Sequence, residues 1–179
     1  MIVRKWHIVI STLLILVFSS VGFAQSKSGS ISGPSNFEKM LDKINLKEIY
    51  PSAASLGPPE GEPIAAKTYD SEGNHIGYVF VNTDFLPTIG YSGKPIHIAI
   101  GMDLEGKIKG AKLLKHSEPI ILVGIPESKI MAFINGYVGL DAIKIANASD
   151  ANTLPVDIVS GATVTIIIID DAIKRSAIM

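Results

Sequence analysis

The chain has 179 residues, 47% of them apolar, which allows one globular domain with a sizeable core. Its 16 basic residues nearly balance its 17 acidic residues, so the charge does not indicate a nucleic-acid partner. The absence of cysteine excludes disulfides, thiolate metal sites, iron–sulfur ligation and a cysteine nucleophile. The four histidines are scattered and predict no metal site, so any redox chemistry here requires an organic cofactor.

The first 24 residues have the pattern of a secretory signal. Arg4 and Lys5 form a short positive region, residues 8–23 are almost wholly apolar, and Gly22 and Ala24 are the small residues that a signal peptidase requires. The apolar stretch is about 16 residues long, slightly shorter than a stable membrane-spanning helix, which favours cleavage over a retained signal anchor. We therefore expect the remainder of the chain to be exported.

Residues 25–63 predict a linker that contains one short helix. Four apolar residues share the spacing of one helix face: Phe37, Met40, Leu41 and Ile44. Ser35 or Asn36 could cap this helix. Residues 50–63 are rich in proline and glycine and predict an extended loop.

Residues 64–179 predict the main domain, an α+β fold with an antiparallel sheet of short strands and flanking helices. Four strands are expected as two hairpins, residues 64–69 with 76–81 and residues 95–102 with 107–115. In the last of these strands, polar and apolar residues alternate only imperfectly. The pattern predicts that one face of this strand is exposed to solvent and the other is buried.

The rest of the chain predicts mainly helix. A helix is expected after Pro126, with Ser128 as a possible cap and Gly139 as its end. A loop to Pro155 and a short strand at residues 156–159 follow. The final segment is β-branched at residues 164–169, but its apolar residues continue at helical spacing, so we expect a helix from about residue 163.

The segment from Ser160 to Thr165, Ser-Gly-Ala-Thr-Val-Thr, is the strongest candidate for chemistry. Gly161 and Ala162 leave room for a large planar ligand, and a helix that begins near Thr163 would direct free N–H groups at a phosphate. A phosphate beside a hydroxyl suggests a phosphoester. By themselves these six residues are more typical of an ordinary helix cap than of a site, and they lack the Gly-x-Ser-x-Gly pattern of a hydrolase.

Residues 157–165 resemble the flavinylation motif of the FMN-binding domain family, which includes the covalent-flavin subunits of the Rnf and sodium-pumping quinone reductase complexes. Residues 90–96 together with 101–108 are similar to the strand–turn–strand core of that family. Residues 118–126 are similar to its NosR/NirI branch, where the Rnf branch would have Glu-Thr-Pro-Gly-Leu-Gly. The resemblance runs from about residue 64 to the C-terminus.

This resemblance implies FMN linked by a phosphoester to Thr165, the last position of the Ser-Gly-Ala-Thr-x-Thr pattern, with Thr163 as the competing acceptor. In the family, a separate flavin transferase moves FMN from FAD onto the threonine. Nothing near Thr165 in the sequence visibly activates its hydroxyl, so we expect the transferase to supply the activation. The further candidate cofactor-binding residues are Ser160, Gly161, Ala162, Tyr91, Ser92, Lys94 and Glu118.

Two of these candidate segments also have plain structural interpretations. Tyr91, Ser92 and Lys94 lie in a Gly-Tyr-Ser-Gly-Lys-Pro sequence that is equally typical of a turn before a strand. Glu118 could meet the ligand in a turn, or it could be a solvated acid ahead of an apolar strand.

The resemblance implies an electron-carrier domain rather than an independent enzyme, on the periplasmic side of the cytoplasmic membrane. Its partners would be the flavin transferase and a membrane electron-transfer protein or nitrous oxide reductase, which it would supply with electrons or help to mature during denitrification. The alternatives are an Rnf-type electron-transport subunit, a noncovalent FMN-binding regulatory module and a structural domain. Proteins of this branch continue into membrane helices and an iron–sulfur region, whereas this sequence has no second hydrophobic span and no cysteine. We therefore expect the chain to be a fragment, a split gene product or a stand-alone carrier.

Overall fold

A computed structural model of the chain describes residues 33–147 and 161–179. The expected secretory signal, the strand predicted at residues 156–159 and Ser160 lie outside the described residues. In the part of the chain that the structure describes, no helix is both long enough and apolar enough to cross a membrane.

The described residues are built on a five-stranded antiparallel sheet in the order β1-β2-β3-β4-β5. The strands are β1 (Ser55–Glu60), β2 (Ala65–Tyr69), β3 (His75–Val81), β4 (His97–Asp103) and β5 (Ile108–Lys115). Strands β2 to β5 confirm the two predicted hairpins and, with the helices around the sheet, the predicted α+β fold.

Strand β1 corrects the prediction of an extended loop over residues 50–63. It pairs with β2 through Ser55 and Leu56 and again through Pro59 and Glu60, with an irregularity in register between the two pairs. Proline cannot donate a ladder hydrogen bond, and it is tolerated here because β1 is an edge strand.

Both faces of the sheet are buried, which corrects the prediction that the last strand has one wet face. On one face, Phe80 and Ile100 belong to the larger core cluster, and on the other face Val79 and Ala99 belong to a second cluster. The second cluster is closed by N-terminal residues that the sequence predicted as a linker, including Phe37 and Tyr50. In β5 itself only Lys115 is exposed.

Seven helices occur in the described residues. They are α1 (Asn36–Met40), α2 (Leu46–Ile49), α3 (Asn82–Phe85), α4 (Pro119–Val123), α5 (Glu127–Asn135), α6 (Ala142–Asn147) and α7 (Thr163–Ala177). A short 3₁₀ turn, Leu41–Lys43, follows α1. Of these helices the sequence predicted α1, α5 and α7, whereas α2, α3, α4 and α6, each of six residues or fewer, were not predicted.

The ends of the first two predicted helices differ in detail from expectation. Ser35 caps α1 by accepting a hydrogen bond from the Glu38 N–H, and Glu38 accepts one from the Ser35 N–H in return. Leu41 is exposed, so the predicted apolar face holds for Phe37 and Met40. Helix α5 begins directly after Pro126, so Ser128 lies inside it and is not its cap.

The predicted C-terminal helix is confirmed as α7. Its buried residues include Ile166, Ile169, Ile173 and Ala177, which all belong to the larger core cluster. The stripe of isoleucines therefore fixes α7 against the sheet, because burial of this face outweighs the strand preference of its β-branched residues.

Candidate functional site

The N-terminal end of α7 borders a pocket of about 310 Å³. The pocket is lined by Tyr91, Ile120, Gly161, Ala162, Thr163, Val164 and Thr165. Five consecutive residues of the candidate motif therefore share one cavity with Tyr91, which lies 70 positions or more away in the sequence. Ile120 also lines the pocket, although it was not predicted as a site residue from the sequence.

A buried carboxylate ties this pocket together. Glu118 is fully buried, and its Oε2 accepts a hydrogen bond from the Thr165 hydroxyl at 2.7 Å. The same oxygen accepts the Tyr91 N–H at 3.2 Å, and Oε1 accepts the Ser92 N–H at 3.1 Å. One side chain thus connects the loop that follows Gly90, the start of α4 and the first turn of α7.

The environment of Glu118 favours its ionised form. Burial acts to raise the pKa of Glu118, but hydrogen bonds from Thr165, Ser92 and Tyr91 oppose it and hold the pKa below its ordinary value. The carboxylate is therefore charged at neutral pH. This corrects the interpretation of Glu118 as a solvated acid, and the segment that follows is helix α4, which begins at Pro119, rather than a strand.

Gly90 leaves the space that the Glu118 carboxylate fills. A Cβ at this position would lie 2.7 Å from Glu118 Cδ and closer still to Oε1. The loop itself is closed by a hydrogen bond from the Gly90 N–H to the Lys94 carbonyl at 2.9 Å. The turn interpretation of this loop is therefore correct, and the turn also presents two N–H groups to Glu118.

The two threonines of the motif occupy different environments. Thr163 is the first residue of α7 and is exposed, whereas Thr165 is 2% exposed and its hydroxyl is bonded to Glu118. The residue at the N-cap is Ala162, which has no side-chain hydroxyl to cap the helix. The first N–H groups of α7 have no acceptor within the helix, so this end attracts an anion.

The remaining candidates from the loop contribute less to the pocket. Tyr91 is 75% exposed and lines the cavity, Ser92 is half-buried, and Lys94 is exposed. Among the described residues, Ser92 and Lys94 are not part of the pocket lining. No group of three His, Asp or Glu side chains that could hold a metal ion occurs in residues 33–147 and 161–179.

This arrangement suits a flat ligand that carries a phosphate. The positive end of α7 offers N–H donors to the phosphate, while Tyr91, Ile120 and Val164 offer apolar surface to a ring. Thr165 also lines the pocket, and its hydroxyl donates a hydrogen bond to the ionised Glu118 carboxylate.

Comparison with known proteins agrees with this geometry. The FMN-binding domain family matches residues 90–177. The Regulatory protein NosR of Pseudomonas aeruginosa is 34% identical over 140 residues, which cover 76% of this chain and 19% of that protein. NosR of Stutzerimonas stutzeri is 36% identical over 143 residues, with coverages of 78% and 20%. The Protein NirI of Paracoccus denitrificans is 33% identical over 115 residues, with coverages of 64% and 16%.

This chain spans about a fifth of the length of these relatives, or less. The match with the family includes the loop at Gly90, Glu118 and helix α7. It confirms the resemblance that the motifs indicated, including its NosR/NirI branch. The chain belongs to the FMN-binding domain family, as a domain of the kind found in NosR/NirI-type regulatory proteins.

Proposed function

We propose that this domain carries FMN covalently, through a phosphoester between the flavin phosphate and Thr165 Oγ1, and that it works as an electron carrier. The observation that carries the proposal is the placement of Thr165 in the first turn of α7, in the wall of a pocket suited to a phosphorylated planar ligand.

The residues around the pocket fit FMN. Its volume of about 310 Å³ lies at the lower end of the usual range for small-molecule sites, roughly 300–1,000 Å³. The N–H groups at the start of α7 would hold the phosphate, and Tyr91 and Ile120 would cover part of the ring. When bound, the isoalloxazine supplies the redox chemistry, and the protein supplies attachment and orientation.

Thr165 is favoured over Thr163 as the attachment point despite its burial. The Thr163 side chain is exposed and easier to reach. Thr165, however, has a carboxylate in contact with its hydroxyl, and a threonine hydroxyl is a poor nucleophile until a base removes its proton.

The setting of this electron carrier is proposed from the relatives. Two of them are named regulatory proteins, and we propose that this chain serves a similar system on the periplasmic side of the cytoplasmic membrane. Its partners there would be a flavin transferase and a membrane electron-transfer protein or nitrous oxide reductase, to which it would pass electrons or whose maturation it would assist.

Covalent attachment is tested by coexpressing the exported chain with a flavin transferase and examining a denaturing gel for flavin fluorescence. We expect a fluorescent band for the wild type and for Thr163→Ala, and none for Thr165→Ala. If the wild type shows no band beside a transferase that modifies a control substrate, the covalent proposal is wrong. Flavin that purifies with the native protein but is lost on denaturation would instead indicate the noncovalent module.

The electron-carrier role is tested separately with the purified flavinylated chain. After anaerobic reduction it is mixed with nitrous oxide reductase and nitrous oxide, and flavin reoxidation is followed by absorbance. We expect reoxidation that depends on the reductase, and a Thr165→Ala sample should give no flavin signal. Reoxidation at the same rate without the reductase would contradict this partner.

A further inference from the structure

We propose that Glu118 accepts the proton of Thr165 while the flavin phosphate is attached, and that it thereby selects Thr165 over Thr163 as the acceptor. This inference rests on the proposed phosphoester at Thr165. It assigns part of the activation to the chain itself, whereas from the sequence alone we expected all of it from the transferase.

The geometry of the contact is that of a base and its substrate. Thr165 Oγ1 lies 2.7 Å from Glu118 Oε2, within the range of about 2.6–3.2 Å that proton transfer requires. Both side chains are buried, so water does not compete strongly for the hydroxyl proton. The sequence does not show this pair because its members are 47 positions apart.

The carboxylate is also held in place for this role. The N–H groups of Tyr91 and Ser92 bind its two oxygens, and Gly90 leaves it the space it occupies. Thr163 lies two residues before Thr165 on the same helix, and residues at that spacing do not share a face. A carboxylate fixed against Thr165 therefore does not serve Thr163.

The transfer step balances with a flavin adenine dinucleotide as the co-reactant. Thr165 Oγ1 forms a bond to the phosphorus on the flavin side, and the bond from that phosphorus to the bridging anhydride oxygen breaks. Adenosine monophosphate leaves with the electron pair of the broken bond. The hydroxyl proton passes to Glu118 Oε2, so no oxidant or reductant is needed.

The proton should remain on Glu118 afterwards. An ionised Glu118 would face the negative charge of the new phosphoester after losing the hydrogen bond from Thr165, whereas the protonated acid can donate a hydrogen bond to a phosphate oxygen. Two titratable residues contact Glu118 through backbone groups: His116 Nδ1 accepts the Glu118 N–H at 3.2 Å, and Tyr91, whose side chain is exposed, donates its N–H to the carboxylate.

The first experiment compares two variants, Glu118→Gln and Glu127→Gln. The second is the matched control, because Glu127 is an exposed acid in α5. Each full-length chain is incubated with flavin transferase and flavin adenine dinucleotide, and the rate of covalent flavin gain is measured by mass spectrometry with peptide mapping. We expect Glu118→Gln to be at least about 100-fold slower at Thr165, and Glu127→Gln to match the wild type. The rate ratio of wild type to Glu118→Gln should fall as pH rises, because hydroxide replaces the missing base.

The outcomes separate this inference from the proposed function. If the wild type gains no flavin from an active transferase, the proposed phosphoester fails. If the wild type is modified at Thr165 and Glu118→Gln is modified there equally fast, only the role of Glu118 is overturned. A slower rate with a pH-independent ratio would assign Glu118 a purely structural role and would also overturn the inference.

A second measurement uses the unaltered chain and does not depend on a variant that folds. The carboxyl carbon of Glu118 is titrated by NMR before and after flavinylation, and the His116 ring is followed in the same samples. We expect flavinylation to raise the pKa of Glu118. A pKa that is unchanged or lower would overturn the inference.

Discussion

The first turn and the middle of α7 each hold a hydroxyl group against a buried carboxylate, yet the two arrangements differ in charge. In the middle, the Tyr137 hydroxyl donates to Asp170, which also forms an ion pair with Lys174 at 2.9 Å. In the first turn, Glu118 takes its hydrogen bonds from the uncharged donors Thr165, Tyr91 and Ser92. Among the described residues, Lys174 thus balances the charge of Asp170, whereas no cation forms an ion pair with Glu118.

The difference indicates what each carboxylate does. Burial, and next the hydrogen bond to Asp170, raise the pKa of Tyr137, so this hydroxyl keeps its proton and the contact only joins the turn after α5 to α7. Glu118 retains a charge beside the pocket, although burying a charge costs free energy of folding. A buried charge of this kind is typical of a functional site rather than of a structural pair.

The largest effect on stability is expected from breaking the ion pair between Asp170 and Lys174. Asp170→Asn leaves the Lys174 ammonium, whose side chain is 18% exposed, without its partner, and we expect it to cost about 3 kcal/mol of unfolding free energy. The matched control is Asp171→Asn, which breaks an exposed pair with Arg175 and should cost less than about 1 kcal/mol.

Denaturant unfolding of both variants at pH 7 measures this difference. Covalent flavin per folded molecule should remain that of the wild type in both, because Asp170 lies outside the pocket lining. Equal stability of the two variants would show that the middle of α7 does not depend on its ion pair.

An intermediate effect is expected from crowding the charged carboxylate. In Gly90→Ala the new Cβ would lie 2.7 Å from Glu118 Cδ, so we expect a loss of about 1–3 kcal/mol and a lower rate of flavin attachment. Gly33→Ala is the control, since nothing lies within 4 Å of a Cβ there. Thermal unfolding and gel fluorescence measure the two effects, and a Gly90→Ala protein as stable as Gly33→Ala would contradict the described packing.

The smallest effect, and the most specific, is the pH dependence of stability. Burial raises the pKa of Glu118, but the hydrogen bonds from Thr165, Ser92 and Tyr91 outweigh it, so its folded pKa lies below the ordinary 4.5. The ionised form therefore stabilises the fold above the unfolded pKa, and this contribution is lost as the pH falls through the folded pKa.

We expect Glu118→Gln to cost about 1–2 kcal/mol at pH 7, through weaker hydrogen bonds to the Tyr91 and Ser92 N–H groups. Urea unfolding of both proteins between pH 7 and pH 3 should show this difference shrinking below pH 4.5. A difference that stays constant over this range would show that the charge of Glu118 does not contribute to stability.

Local patterns in the sequence were sufficient for the two hairpins and for α7. The two hairpins followed from turn residues between alternating strands, and α7 followed from the spacing of Ile166, Ile169 and Ile173. Strand β1 was not predicted because it contains Pro58 and Pro59, and proline is rare inside strands. The two prolines are tolerated because β1 lies at the edge of the sheet. The linker prediction missed that Phe37 and Tyr50 close the second core cluster.

The sequence by itself determined the motif that contains Thr165, the helix that begins beside it and the family to which the chain belongs, because each can be identified from short motifs, within which the residues are close together in the chain. Only the tertiary structure decided what Glu118 does. Its contacts with Thr165 and with the loop after Gly90 join segments 26 to 47 positions away, and no local rule relates residues at such separations. Whether that acid is solvated or buried against a hydroxyl depends on how α4, the loop and α7 pack together.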